Sequence, residues 1–165
     1  MTLTRMLPAL VACLCATAQT QAQTAFDTKT AVVTAQVQDT CKFTNPTSLQ
    51  LILGNLDPSL TVPRSVTAVS SFSCTNGFAF QIGLAGQTTA LSPTSSHARQ
   101  LTHKTDNTQT LAYTLSAALP NGTVGKGFSA GNELALQLTA NVAPASYRDA
   151  KGGDYEDTLV VELRP

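Results

Sequence analysis

The stretch Tyr155-Glu-Asp-Thr-Leu-Val-Val-Glu-Leu-Arg-Pro165 decides how the rest of this chain is read. Leu159, Val161 and Leu163 alternate with Val160, Glu162 and Arg164, the period-two pattern of a strand with one buried face. Only two residues follow Leu163. If the fold needs another strand beside this one, that strand must come from elsewhere.

Working back from this segment, the same alternation recurs. Ala31, Val33, Ala35 and Val37 form one set, Leu49, Leu51 and Leu53 a second, and Val66, Ala68, Phe72 and Cys74 a third. Phe78, Phe80, Ile82 and Leu84 follow, then Leu111, Tyr113, Leu115 and Ala117, then Leu134, Leu136, Leu138, Ala140 and Val142. After residue 25 no segment sustains the three-and-four spacing of an amphipathic helix. Turn residues separate the sets. Asn76-Gly77, between Cys74 and Phe78, predicts a tight hairpin, because both residues adopt positive φ at little cost. Asp57-Pro58, Pro120-Asn121-Gly122, Gly131-Asn132 and Gly152-Gly153 break the chain elsewhere. Residues 86–110, rich in Thr, Ser, Gln and Asn, read as a long exposed connection.

The 165 residues are 42% hydrophobic and 12% charged, which suits one domain with one core. Trp is absent and aromatics are 5%, so the core is expected to be aliphatic. Residues 1–22 read as a secretory signal: Arg5, an apolar run from Met6 to Cys15, then small residues that place cleavage after Ala18 or Ala22. The run is about half the length needed to span a bilayer, so no membrane span is expected after cleavage. Leu10-Val11-Ala12-Cys13 also fits a lipoprotein box, but with an unusually short apolar run ahead of Cys13. Without the signal, nine Lys and Arg face ten Asp and Glu, and no basic run offers a footprint for nucleic acid.

Cys41 and Cys74 are the cysteines left in the exported chain, and they are expected to pair. A two-cysteine metal site would lack nearby His or Cys partners. Little else suggests chemistry. His97 and His103 sit six apart in the polar connection and are expected on the surface. Asp154, Glu156 and Asp157 cluster near Gly152-Gly153, where an acidic solvated turn is the ordinary reading and calcium the sharper one. Asp157 is expected to cap backbone at the strand entrance, and Tyr113 and Tyr155 to pack in the core with hydroxyls reaching polar groups. No nucleophile elbow, phosphate loop or nucleophile–base pair is present, so neither catalytic nor cofactor-binding residues are assigned and the chain does not read as an enzyme. Short alternating strands with a disulfide predict an all-β sandwich of immunoglobulin-like type.

Four segments carry a resemblance: Leu-Ile-Leu-Gly-Asn-Leu-Asp-Pro at 51–58, Phe-Ser-Cys-Thr-Asn-Gly-Phe-Ala-Phe-Gln-Ile-Gly-Leu at 72–84, the 99–115 stretch with Arg-x-Leu followed by Leu-x-Tyr-x-Leu, and the Tyr-x-Asp-Thr strand at 155–163. In that order and at those separations they resemble the spore coat protein U domain family, which includes the Csu-type pilins of archaic chaperone–usher pathways. Leu53, where an aromatic is expected, Asn141, and the charged stretch at 145–153 depart from the pattern.

The resemblance implies an incomplete immunoglobulin-like β-sandwich that lacks its last strand and is completed by a donor strand. Residues 23–38 would be the donor segment, with Ala31, Val33, Ala35 and Val37 as donor residues, and 39–165 the pilin-type domain. Leu159, Val161 and Leu163 would edge the acceptor groove. The partners implied are a periplasmic chaperone, an outer-membrane usher and neighbouring pilin subunits, with export through the periplasm to a surface fibre that supports adhesion or biofilm formation. Read without it, residues 31–37 are an ordinary first strand of their own domain, and the chain a monomeric secreted module for carbohydrate or a receptor. The opposite phase, Phe26, Thr28, Thr30 and Val32, leaves the donor register open.

Overall fold

The structure is a computed structural model that describes residues 27–45, 48–92 and 94–165. The signal at 1–22, Cys13 and Phe26 lie outside the described residues. The chain divides into two units, residues 1–36 and 37–165. In the first, residues 27–36 form no strand and are exposed, Val33 to 93%.

The second unit is all-β. In chain order its strands are β1 (Cys41–Phe43), β2 (Arg64–Cys74), β3 (Gln81–Leu84), β4 (His97–His103), β5 (Asp106–Ala118), β6 (Leu134–Val142), β7 (Tyr155–Glu156) and β8 (Val161–Arg164), with one helical turn, α1 (Pro144–Tyr147). Six strands make an antiparallel sheet in the order β1-β2-β6-β5-β4-β7, and β3 and β8 make a separate antiparallel pair. β6 shows why the sheet forms. Leu134, Leu136, Leu138, Ala140 and Val142 are all buried, and the residues between them are half-buried on the other face. The register sets Phe72 against Leu134, Ala68 against Leu138 and Leu115 against Ala140, so these apolar side chains share one face. Ile82 and Leu84 of β3 join the same core, and Phe72 meets Phe80 edge to face with ring centroids 5.0 Å apart. Cys41 and Cys74 are bonded, as the sequence predicts, and stand opposite each other in the β1–β2 register.

Several expectations are corrected. Asn76-Gly77 does not close a hairpin: β2 pairs with β1 and β6, whereas β3 pairs with β8. The turn is real, with Phe78 N–H donating to Thr75 O at 3.0 Å and Gly77 at φ 80°. It carries the chain from one sheet to the other, because residues 123–127 take the hydrogen bonds a hairpin would have used. The Gly127 N–H donates to Cys74 O at 2.9 Å, the Phe80 N–H to Thr123 O at 3.0 Å, and the Gly125 N–H to Phe78 O at 2.8 Å. Gly125 allows this approach, since a Cβ there would lie 2.1 Å from Thr75 O.

The segment read as one strand over 155–163 is likewise two. β7 joins β4 at the edge of the large sheet, and β8 joins β3. Residues 86–110, read as a connection, contain β4 and the start of β5, joined at Lys104-Thr105. In β4 Gln100 and Thr102 lie on the outward face while Leu101 and Leu111 pair inward, so a polar composition concealed a strand with one solvated face. Leu49, Leu51 and Leu53 alternate in burial but belong to no strand, and Phe78 lies outside β3. His103 is buried, not on the surface.

Candidate functional site

The core face of the large sheet is not fully covered. An open groove of about 1450 Å³ runs over Leu101, Leu111, Tyr113, Leu136, Leu138 and Ala140. One wall is the segment 48–56 and the other is 157–161, leading into β8. Small-molecule pockets hold roughly 300–1,000 Å³, so this groove suits an extended chain better than a compact ligand.

The backbone of both walls is open to a partner. Among the described residues, 48–56 make no backbone–backbone hydrogen bond, and only the Asn55 carbonyl accepts a bond, from the Arg64 side chain at 3.5 Å. β8 pairs with β3 on one side, and Val160 O accepts from Ala85 N–H on that same side at 2.9 Å. Its other edge has no backbone partner among the described residues. Two extended segments with unpaired backbone thus flank an apolar floor.

Side chains pin the second wall. Arg99 stands opposite Tyr113 in the β4–β5 register, so both side chains project from the same face. The Arg99 guanidinium donates to both carboxylate oxygens of Asp157, at 3.0 and 2.9 Å, and the Tyr113 hydroxyl donates to Asp157 Oδ2 at 2.6 Å. Burial, and then the bond to Asp157, push the Tyr113 phenol up to about 12, while the same carboxylate raises Arg99 above its ordinary value. Asp157 therefore holds side chains of β4 and β5 rather than capping backbone, and fixes the chain where it leaves β7 for β8. At the far end of β8 the Arg164 guanidinium donates to Leu84 O at 2.6 Å, to Gln87 O and to Glu162. It lies across Gly83, where a Cβ would stand 2.6 Å from it.

His103 holds the neighbouring loop. Its Nδ1 accepts from the Thr105 N–H at 3.2 Å, so Nε2 carries the proton and donates to Gly152 O at 3.2 Å. Its ring meets Tyr155 edge to face at 4.9 Å. Glu156 pairs with Lys104 at 2.8 Å and Asp157 with Arg99, so these two carboxylates are held in separate ion pairs.

Of the residues assigned to the groove edge, Leu159 and Val161 line the second wall, with Leu159 outside β8. Leu163 pairs with Ile82 and packs against the core. Ala31, Val33, Ala35 and Val37 are exposed. Sequence reasoning missed the Arg99–Asp157–Tyr113 cluster, whose members lie 58 and 44 residues apart. The alternation of Leu49, Leu51 and Leu53 reads as a strand, but these residues belong to none.

Fold and groove together define an all-β domain with an open apolar groove over the core face of its large sheet. The Spore Coat Protein U domain model matches residues 27–162, and the chain belongs to that family. No curated protein and no solved structure matches it. Membership makes the chain a structural domain of pilin type and points to a surface subunit rather than an enzyme. Among the described residues no helix is long and apolar enough to cross a membrane.

Proposed function

We propose that this chain is a subunit of a surface fibre assembled by donor-strand complementation. The domain is an incomplete immunoglobulin-like sandwich; the groove along β8 accepts residues 31–37 of a neighbouring subunit, and a periplasmic chaperone fills it before the usher delivers the subunit. The fibre is exported through the periplasm to the cell surface, where it supports adhesion or biofilm formation. The observation that carries this reading is a leucine-rich floor between 48–56, which has no strand partner among the described residues, and β8, which is paired on one edge only.

A strand laid in the groove meets the hydrogen-bonding need of both walls and covers the floor at once. Burying Val33, Val37, Ala31 and Ala35 contributes roughly 5 kcal/mol from apolar area alone. That is comparable with the total stability of a domain, about 5 to 15 kcal/mol, so an empty subunit is expected to be marginal and a filled one stable. Donor and groove are different surfaces, so the contact is head-to-tail and extends into a fibre.

The test compares thermal unfolding of two mature variants. One is truncated before Gln38; the other carries residues 26–37 on a flexible linker after Pro165. A grafted monomer that melts far higher and no longer forms ladders on a gel supports the reading. A stable monomeric parent whose melting point falls on grafting makes residues 31–37 an ordinary first strand, and the chain a secreted binding module.

A further inference from the structure

The place where the donor arm leaves the domain carries two exposed apolar side chains that the groove does not use. Thr40 is tied to Thr75 three times: its amide donates to Thr75 Oγ1 at 3.0 Å, and its carbonyl accepts from the Thr75 N–H at 2.9 Å and from the Thr75 hydroxyl at 3.3 Å. The next residue, Cys41, is bonded to Cys74. The arm therefore starts from a fixed point.

The 123–127 segment is built onto that same point. Gly127 N–H donates to Cys74 O at 2.9 Å, Gly77 N–H to Gly125 O at 2.9 Å, and Gly125 lies against Thr75 backbone. Val124 and Phe128 flank these glycines and are 48% and 52% exposed. Nothing in the core requires them, and large apolar side chains grouped on a surface mark contact sites.

Chain length says what covers them. Val37 is three peptide steps from Thr40, a span of at most about 11 Å when fully extended. A subunit that takes Val37 into its groove is therefore held near Thr40, the point onto which the segment carrying Val124 and Phe128 is built. Its groove walls expose apolar residues of their own, Ile52 at 70% and Val160 at 60%, so both sides bring apolar area to the contact.

We propose that Val124 and Phe128 form a second contact between successive copies of this chain, which sets the angle at the joint the arm alone would leave flexible. The inference rests on the donor-strand reading, which supplies the neighbour. It is tested by the thiol reactivity of Phe128→Cys in assembled polymer and in the monomer carrying the grafted arm, with Thr114→Cys on the outer face of β5 as control. Reaction at residue 128 is expected to slow by at least about tenfold in polymer while residue 114 reacts alike in both. Equal rates at residue 128 in polymer and monomer overturn the second contact and leave donation standing, whereas a parent chain that forms no polymer overturns both. A Val124→Ser/Phe128→Ser variant gives an independent readout. It is expected to form polymers that melt as the parent does but bend more in electron micrographs; unchanged stiffness overturns the proposal.

Discussion

β6 and the segment 48–56 carry the same alternation of apolar residues and end in different states. In β6 every second side chain is buried and both backbone edges are paired, with β2 and with β5. In 48–56 Leu49, Leu51, Leu53 and Leu56 are half-buried, the residues between them are exposed, and no strand lies alongside. A period of two reports which face meets the core. It does not report whether a neighbour completes the ladder, because pairing is settled by distant segments. The segment 48–56 is thus strand-like in pattern and, among the described residues, unfinished in pairing, whereas 157–161 across the groove is paired on one edge only, at Val160 and Val161.

The comparison can be broken most directly by truncating one leucine in each region. Leu136→Ala removes a fully buried side chain from a paired strand and is expected to lower stability by about 3 kcal/mol. Leu51→Ala, at a half-buried wall, is expected to cost about 1 kcal/mol in the empty subunit and two or three times as much once the grafted arm covers it. Urea unfolding of both variants, with and without the graft, measures this. A Leu51→Ala cost that is the same in both backgrounds sinks the idea that the wall waits for a partner.

A smaller effect is expected from the pin. Asp157→Ala leaves the Arg99 guanidinium and the Tyr113 hydroxyl without their acceptor in a mostly buried setting, at a cost of about 2 kcal/mol. Hydrogen exchange should then quicken in β8 and leave β6 unchanged. Uniform quickening across both would show that the two regions unfold as one.

The smallest effects are in pH. With the folded phenol of Tyr113 raised to about 12 from an ordinary 10.0, its contribution is complete below pH 10.0 and is lost as pH rises from there to about 12. The ultraviolet absorbance of tyrosinate should show a late phase towards pH 12, and Tyr113→Phe should remove it. On the acid side, Asp106 bonds first to Lys151 and then to Thr108, which holds its carboxyl down at about 2. Its contribution is present above the ordinary 3.8 and fades as pH falls towards 2. Lys151→Met should reduce that slope, a slight change because the pair is exposed.

Much of the fold is legible in particular residues. The inward sets of β5 and β6 fall where the alternation places them, Cys41 and Cys74 are bonded, and Tyr113 packs in the core with its hydroxyl on a polar partner. The site was legible only in fragments. Leu159 and Val161 border the groove, whereas Leu163 pairs with Ile82 and packs against the core. On the opposite wall the alternation of Leu49, Leu51 and Leu53 gives no sign that the segment has no strand partner among the described residues. Asn76-Gly77 misled because a turn constrains four residues and says nothing of the sheet that the next strand joins. β4 was missed because Thr and Gln on a solvated face resemble a loop in composition.

What this sequence determined by itself is the local part: period-two alternation, turn positions, the pairing of two cysteines, and membership of a family that spans residues 27–162. What the tertiary structure decided is the partnering. It split Tyr155–Pro165 between two sheets, routed the Asn76-Gly77 turn across them, brought Arg99, Tyr113 and Asp157 together, and, among the described residues, left 48–56 without a strand partner and β8 with one open edge. The physical reason is that side-chain alternation is a property of neighbours along the chain, whereas a backbone hydrogen bond in a sheet joins segments that only the completed fold brings into reach.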